Sequence, residues 1–289
     1  MNIASKATDN RIRIGIWGPR ASGKTTYLVT LFHECLISND WDIAPLDKST
    51  VKFISDNHRL IHLKGLFPPS TDAGQTSYYQ FQLSRRRQGI FKSTRQQTVS
   101  LGFLDPSGEW YENTEDARSK YPIEIDPYAF LAQSSALLFL IDPKPDFLQY
   151  AEQGEGENHS YFELLIQTIY DIKDLQLADQ PSPQYLAIAF TKMEQPNRWE
   201  RRTRLQDYAR EVLGEHTIRV IETAFPAQYY KFFAVSAVGM LEDGRPNVET
   251  ISDEQRQDRA HIISPARLKP LSIFEPIEWL LSKLVKDKE

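Results

Sequence analysis

The stretch GPRASGKT, residues 18–25, matches the pattern G-x-x-x-x-G-K-[S/T] at every fixed position. The apolar run at residues 12–17 precedes it and is typical of a strand, and Leu28, Leu31 and Phe32 follow at helical spacing. A glycine-containing loop between a strand and a helix N-terminus lets backbone N–H groups approach phosphate oxygens. The strand–loop–helix context favours a nucleoside triphosphate site over the alternative, a plain glycine turn beside an exposed lysine.

Each position of this loop has an expected role. Lys24 reaches the terminal phosphates, and the Thr25 hydroxyl ligates Mg²⁺. Arg20 has two interpretations: it stabilises charge that develops on the γ-phosphate, or it points into solvent. The predicted nucleotide-binding residues of the segment are Gly18, Ala21, Ser22, Gly23, Lys24, Thr25 and Thr26.

Composition describes an ordinary globular chain of 289 residues, 40% hydrophobic and 25% charged. The net charge of −5 indicates that nucleic acid is not a partner. A single cysteine, Cys35, excludes an internal disulfide and fits a reducing compartment. The N-terminal residues lack the apolar stretch of a signal peptide, and no apolar run approaches the about 20 residues of a membrane helix. We therefore expect a cytoplasmic protein with no membrane segment.

Strand-like and helix-like segments alternate along the chain, which is typical of an α/β domain. We predict a P-loop NTPase fold with a mostly parallel sheet, one antiparallel hairpin strand and flanking helices, in a single domain over residues 1–289. Polar loop insertions are expected near 144–159 and 241–270. After the first strand, further strands are predicted at 78–83, 98–104, 136–141, 185–190 and 232–235, and helices at 161–175, 199–213 and 273–285.

A second motif, Asp105-Pro106-Ser107-Gly108, directly follows the strand predicted at 98–104. A carboxylate at the end of that strand can hold Mg²⁺, and a glycine three residues later can offer its N–H to the γ-phosphate. The pattern alone also fits a plain turn. Its position after a P-loop and a hairpin favours the nucleotide role for Asp105 and Gly108.

Two more polar segments follow predicted strands in the same order: Thr191-Lys192-Met193-Glu194 and Ser236-Ala237. Together with the segment at 18–28, the Pro68-Pro69-Ser70-Thr71 loop and Ile141-Asp142-Pro143, they make the chain resemble the translation-factor-like P-loop GTPases. More narrowly, it is similar to the bacterial double-GTPase family, second type.

This resemblance implies how guanine would be bound. Lys192 would lie along the base plane, Glu194 would accept from the guanine N1–H and exocyclic amine, and the backbone at Ser236 and Ala237 would meet O6. Thr191 is the first residue of this base-binding segment, Thr191-Lys192-Met193-Glu194. Relatives usually carry asparagine and aspartate where this chain has Thr191 and Glu194, so the acceptor here is one methylene longer.

The resemblance also implies which threonine would hold Mg²⁺ and which residue would orient the attacking water. Thr71 is the preferred switch threonine for Mg²⁺, with Thr76 as the alternative. Glu109 stands where many relatives have a glutamine that orients the attacking water. Turnover would then be slow and accelerated by a partner.

We therefore expect a Mg²⁺-dependent GTP-binding and GTP-hydrolysing switch within a multi-protein bacterial system of the conflict or defence type. Protein partners are expected, with another GTPase as one candidate. The alternatives are an ATPase or small-molecule kinase, and a nucleotide-binding assembly module without turnover.

Two further patterns receive structural interpretations. The basic run at 85–87 is expected to be a solvated turn at the hairpin tip. The six histidines, His33, His58, His62, His159, His216 and His261, are interpreted as packing or surface residues without metal-binding spacing.

Overall fold

A computed structural model describes residues 13–19, 21–69, 76–85, 98–106, 126–143, 161–179, 184–252 and 258–286. In these ranges the strands are β1 (Arg13–Trp17), β2 (Trp41–Pro45), β3 (Thr76–Arg85), β4 (Thr98–Pro106), β5 (Ala136–Ile141), β6 (Tyr185–Phe190), β7 (Tyr230–Ala234), β8 (Val248–Ser252) and β9 (Asp258–Ile262). The α-helices are α1 (Lys24–Ile37), α2 (Lys48–His58), α3 (Pro127–Ala132), α4 (Tyr161–Asp179), α5 (Leu205–Ala224) and α6 (Glu275–Lys286).

The main sheet has seven strands in the order β2-β3-β4-β1-β5-β6-β7. β3 pairs antiparallel with both β2 and β4, whereas β4, β1, β5, β6 and β7 pair in parallel. β3 is thus the single reversed strand of this sheet. The predicted fold class, a mostly parallel sheet with one antiparallel hairpin strand and flanking helices, is confirmed.

Both faces of the sheet are buried, as the continuous apolar sequence of β5 requires. Ala136, Leu138 and Leu140 enter the core on one face, and the alternate residues Leu137 and Phe139 enter the core on the other. The first core is built with α1 and α6, and the second with α3, α4 and α5. The hydroxyl of Tyr27 on α1 donates to the Ile273 carbonyl before α6, 2.8 Å away, so these two helices are tied together.

The structure differs from the sequence prediction in two regions. The polar region after α1 contains β2, α2 and a π-helical turn at Arg59–Leu63. The sequence does not predict β2, because Asp42 and Pro45 interrupt its apolar pattern. Its Trp41 is buried and stacks on Phe274, and this contact holds the edge strand against the core.

The polar insertion predicted near 241–270 contains the β8–β9 hairpin. Buried Ile262 of β9 donates its backbone N–H to the Gly65 carbonyl, 2.8 Å away, so the hairpin is anchored beside the π-helical turn. The insertion near 144–159 lies outside the described residues. Among the described helices, none is both long and apolar enough to cross a membrane.

The predicted helices are present with shifted bounds. Residues 161–175 belong to α4, and the last helix runs from Glu275 to Lys286. The segment predicted at 199–213 begins as a 3₁₀ turn at Trp199–Arg204 and continues as α5 to Ala224, with a non-helical residue at Gly214.

Candidate nucleotide-binding site

The P-loop lies between the end of β1 and the start of α1, in the centre of the sheet. Gly18 has no room for a side chain: a Cβ there would stand 2.6 Å from the Leu140 carbonyl oxygen and 2.5 Å from Ser22 Oγ. Gly23, at the N-terminus of α1, has a φ of +88°, which strains any residue with a Cβ. Both glycines of the motif are therefore required by the backbone itself.

Lys24 folds back over this loop. Its side chain is buried, and Nζ donates to the carbonyl oxygens of Gly18 and Pro19 at 2.6 and 3.0 Å. Its ammonium is thus held at the mouth of the loop. Thr25 beside it is half-buried, and Thr26 is buried.

The loop also contains a buried hydroxyl that fits a polar ligand. Ser22 Oγ is buried and has no hydrogen-bond partner among the described residues. A buried hydroxyl without a partner costs free energy, so such groups in native proteins call for an explanation. Together with the close backbone at Gly18 and the ammonium of Lys24, it fits a site for phosphate oxygens.

Thr191 connects this loop to the segment after β6. Its Oγ1 donates to the Ser22 carbonyl at 2.8 Å and lies 3.3 Å from the Ile141 carbonyl. The side chain is buried, so these bonds are shielded from water. The two segments that the sequence assigned to phosphate and to base are therefore joined directly.

Glu194 and Ser236 form the second connection. Ser236 Oγ donates to Glu194 Oε2 at 2.6 Å and accepts from the Gly239 N–H at 2.8 Å. Burial raises the pKa of the Glu194 carboxyl, while the Ser236 hydrogen bond and the charges of Lys192 and Arg198 oppose that rise. The structure brings the segments after β6 and β7 together around one buried carboxyl group.

Asp142, at the end of β5, organises the neighbouring charges. This buried carboxylate pairs with Lys192 Nζ at 2.6 Å and with Arg198 Nη1 at 3.2 Å. Arg198 Nη1 also lies 3.4 Å from the Lys192 carbonyl. Arg198 is not among the predicted site residues, because a residue in a polar loop carries no pattern that marks it as a partner of a distant strand end.

The structure describes only some of the remaining predicted site residues. Asp105 lies on β4 and pairs with Ser77 of β3, close to the carboxyl end of β4. Ala237 is half-buried directly after Ser236. Arg20, Thr71, Gly108 and Glu109 lie outside the described residues, so their roles remain predictions.

The model of the family described as Double-GTPase 2 matches residues 12–232. A search of curated proteins finds no match.

Solved structures of GTPases resemble the chain at low identity. The Ski7 GTPase-like domain of S. cerevisiae, bound to GTP, is 13% identical with a TM-score of 0.41, over 84% of this chain and 47% of that chain. The Arl6 BBS3 small GTPase of Trypanosoma brucei is 11% identical with a TM-score of 0.43, over 96% of this chain and 99% of that chain. The chain thus spans about half the length of the Ski7 chain that it matches.

The Asp142 cluster predicts a stability defect. Asp142→Asn removes the buried negative charge that holds Lys192 and Arg198, and we expect the free energy of unfolding to fall by about 2 kcal/mol. Urea unfolding followed by circular dichroism measures the change. The matched control is Asp207→Asn at an exposed position on α5, which should leave stability within about 0.5 kcal/mol of the wild type. Equal stability of Asp142→Asn and the wild type would contradict the assigned role.

Proposed function

The chain belongs to the Double-GTPase 2 family, and from this premise we propose that it is a Mg²⁺-dependent GTP-binding and GTP-hydrolysing switch protein. The observation that carries the proposal is the buried hydrogen bond from Thr191 Oγ1 to the Ser22 carbonyl. It joins the loop with the geometry of a phosphate site to the segment that contains Glu194. One bound nucleotide would therefore contact both segments.

At the phosphate end, the proposed ligands are the backbone of residues 18–26 and the side chain of Lys24. The N-terminus of α1 carries partial positive charge, which favours an anion there. The Lys24 ammonium already lies against Gly18 and Pro19, so it is positioned at the rim of the loop. On nucleotide binding it would exchange these carbonyl partners for phosphate oxygens.

Thr25, Asp105 and Thr71 are the proposed holders of Mg²⁺. A hydroxyl and a carboxylate are the oxygen ligands that this ion prefers, and the ion neutralises charge on the β- and γ-phosphates when bound. Thr25 follows Lys24 on α1, and β4, which carries Asp105, pairs directly with β1. Gly108, three residues after Asp105, would offer its N–H to the γ-phosphate.

At the base end, Glu194 would accept from the guanine N1–H and amine, Lys192 would lie along the base, and the backbone at Ser236 and Ala237 would face O6. Support comes from the Ser236 hydroxyl, which fixes one carboxyl oxygen of Glu194. Lys192 is in turn held by Asp142.

Hydrolysis is proposed to use Glu109 to position the attacking water and Arg20 to stabilise charge on the γ-phosphate. A carboxylate near a triphosphate is repelled by it, so intrinsic turnover would be slow and a protein partner would accelerate it. We place this switch in a cytoplasmic, multi-protein bacterial system, with a second GTPase as a candidate partner.

The primary test is a titration of the purified chain with GTP and ATP analogues, with and without Mg²⁺, followed by phosphate release. GTP preference that needs Mg²⁺, with turnover, supports the proposal. ATP preference would favour an ATPase or kinase, and binding without turnover would favour an assembly module.

Lys24→Ala should abolish triphosphate binding, because it removes the fixed positive charge that faces the β- and γ-phosphates. Calorimetric titration with a non-hydrolysable GTP analogue measures this. Lys52→Ala, at an exposed position on α2, is the control, since it removes only a surface pair with Asp56. Retained micromolar binding by Lys24→Ala would contradict the P-loop assignment.

Glu194→Ala should weaken GTP binding more than ATP binding, because the carboxylate accepts from guanine groups that adenine lacks. We expect the GTP affinity to fall by about 10- to 100-fold, equivalent to one or two charge-assisted hydrogen bonds. Glu200→Ala, in the exposed 3₁₀ turn, serves as the control. Equal losses for both nucleotides would remove the proposed guanine contact.

The preference for GTP over ATP should also depend on pH. Since burial raises the Glu194 pKa, this carboxyl takes up a proton at a higher pH than an ordinary glutamate does. A protonated carboxyl presents a donor to the guanine donors, so the ratio of GTP to ATP affinity should decline as the pH falls towards that raised pKa. Competition titrations across acidic and neutral pH measure the ratio. In Glu194→Ala the ratio should be flat, and a flat ratio in the wild type would overturn the prediction.

A further inference from the structure

Three histidines that are distant from the nucleotide segments meet on one side of α1. His33 lies in the last half of α1, His58 ends α2, and His62 lies in the π-helical turn that continues α2. His58 and His62 are four residues apart, and on a helix this spacing puts two side chains on one face. The prediction of no metal-binding spacing among the six histidines did not take this four-residue spacing into account.

The distances between the rings suit a shared ligand. His33 Nδ1 and His58 Nε2 lie 3.1 Å apart, which is hydrogen-bond distance, and the tautomers decide which ring donates. Two nitrogen ligands of one tetrahedral Zn²⁺ lie about 3.3 Å apart, because each Zn–N bond measures about 2.0–2.1 Å. One ring nitrogen from each of the three histidines lies within 4.8 Å of the others.

The His62 ring supplies an independent observation. Its side chain is 9% exposed, and its Nε2 has no hydrogen-bond partner among the described residues. The ring centroid lies 3.9 Å from that of His33 and 4.3 Å from that of His58. A buried polar nitrogen without a partner, placed against two other imidazoles, is accounted for by a ligand that accepts its lone pair.

A neutral imidazole offers one nitrogen lone pair to a ligand. Neutral imidazole is a preferred ligand of divalent zinc, nickel, copper and cobalt.

We propose that His33, His58 and His62 form a binding site for a divalent transition-metal ion, with Zn²⁺ as the preferred occupant. Three protein nitrogens leave a fourth tetrahedral position for water or a further ligand. The site is separate from the proposed Mg²⁺ site at Thr25, since His33 lies eight residues along α1 from Thr25, about 12 Å at 1.5 Å per residue.

Such an ion would cross-link α1 to the π-helical turn at Arg59–Leu63. Because α1 begins at the P-loop, the cross-link would fix that turn relative to the P-loop.

The test uses the full chain without a histidine tag, freed of metal by a chelator and titrated with Zn²⁺ in excess Mg²⁺. The expected result is one equivalent of Zn²⁺ per chain, with the visible absorption of tetrahedral Co²⁺ when cobalt replaces zinc. His33→Ala and His58→Ala, at half-exposed positions, should each weaken binding by at least about tenfold. Absence of stoichiometric binding to the wild type would overturn the proposal.

Controls separate this site from other sources of zinc affinity. His216→Ala, at an exposed position on α5, and Thr25→Ala, at the nucleotide site, should both bind Zn²⁺ as the wild type does. Circular dichroism in chelator establishes that the histidine variants are folded, and Zn²⁺ should raise the Tm of the wild type but not of His58→Ala. Unchanged binding in both His33→Ala and His58→Ala would show that the ion lies elsewhere and contradict the assignment.

Discussion

Parallel pairing of β4, β1, β5, β6 and β7 is the constraint on which the rest of the molecule depends. Parallel strands end at one edge of a sheet, and ligands of open α/β sheets bind outside that edge. Gly18 follows β1, Asp142 follows β5, Thr191 follows β6 and Ser236 lies two residues after β7. Segments more than two hundred residues apart in the chain therefore meet at one place.

Buried polar contacts then fix these segments relative to one another. Thr191 joins the phosphate loop to the end of β6, and Ser236 joins the end of β7 to Glu194. Hydrogen bonds in a buried setting are stronger than in water, and losing one partner leaves the other with the cost of desolvation. This network joins the P-loop to the segments that follow β6 and β7. Asp142 extends it by holding Lys192 and Arg198 with a single buried carboxylate.

The end of α1 that is remote from the P-loop packs against α2 and its π-helical turn through three histidines. α1 bears Lys24 at its first turn and His33 further along, and α2 with its π-helical turn brings His58 and His62 against it. The Gly65 carbonyl just beyond this turn accepts from Ile262, so the β8–β9 hairpin is attached at the same point. A cation at the histidine cluster would join the helix that begins at the P-loop to the π-helical turn after α2.

The sequence by itself determined the local features: GPRASGKT at residues 18–25 specified the strand–loop–helix, and the apolar runs specified most strands, since these signals depend on near neighbours in the chain. β2 is not predicted by the sequence because its side chains are mixed and its partner β3 is distant in the chain. The β8–β9 hairpin pairs neighbouring segments, but its strands mix polar and apolar residues without a clear strand pattern. Only the tertiary structure decided the partners of Thr191, Glu194 and Asp142, and only it brought His33 to the His58–His62 pair. Such contacts join residues that are far apart in sequence, so no local pattern of propensity or periodicity encodes them.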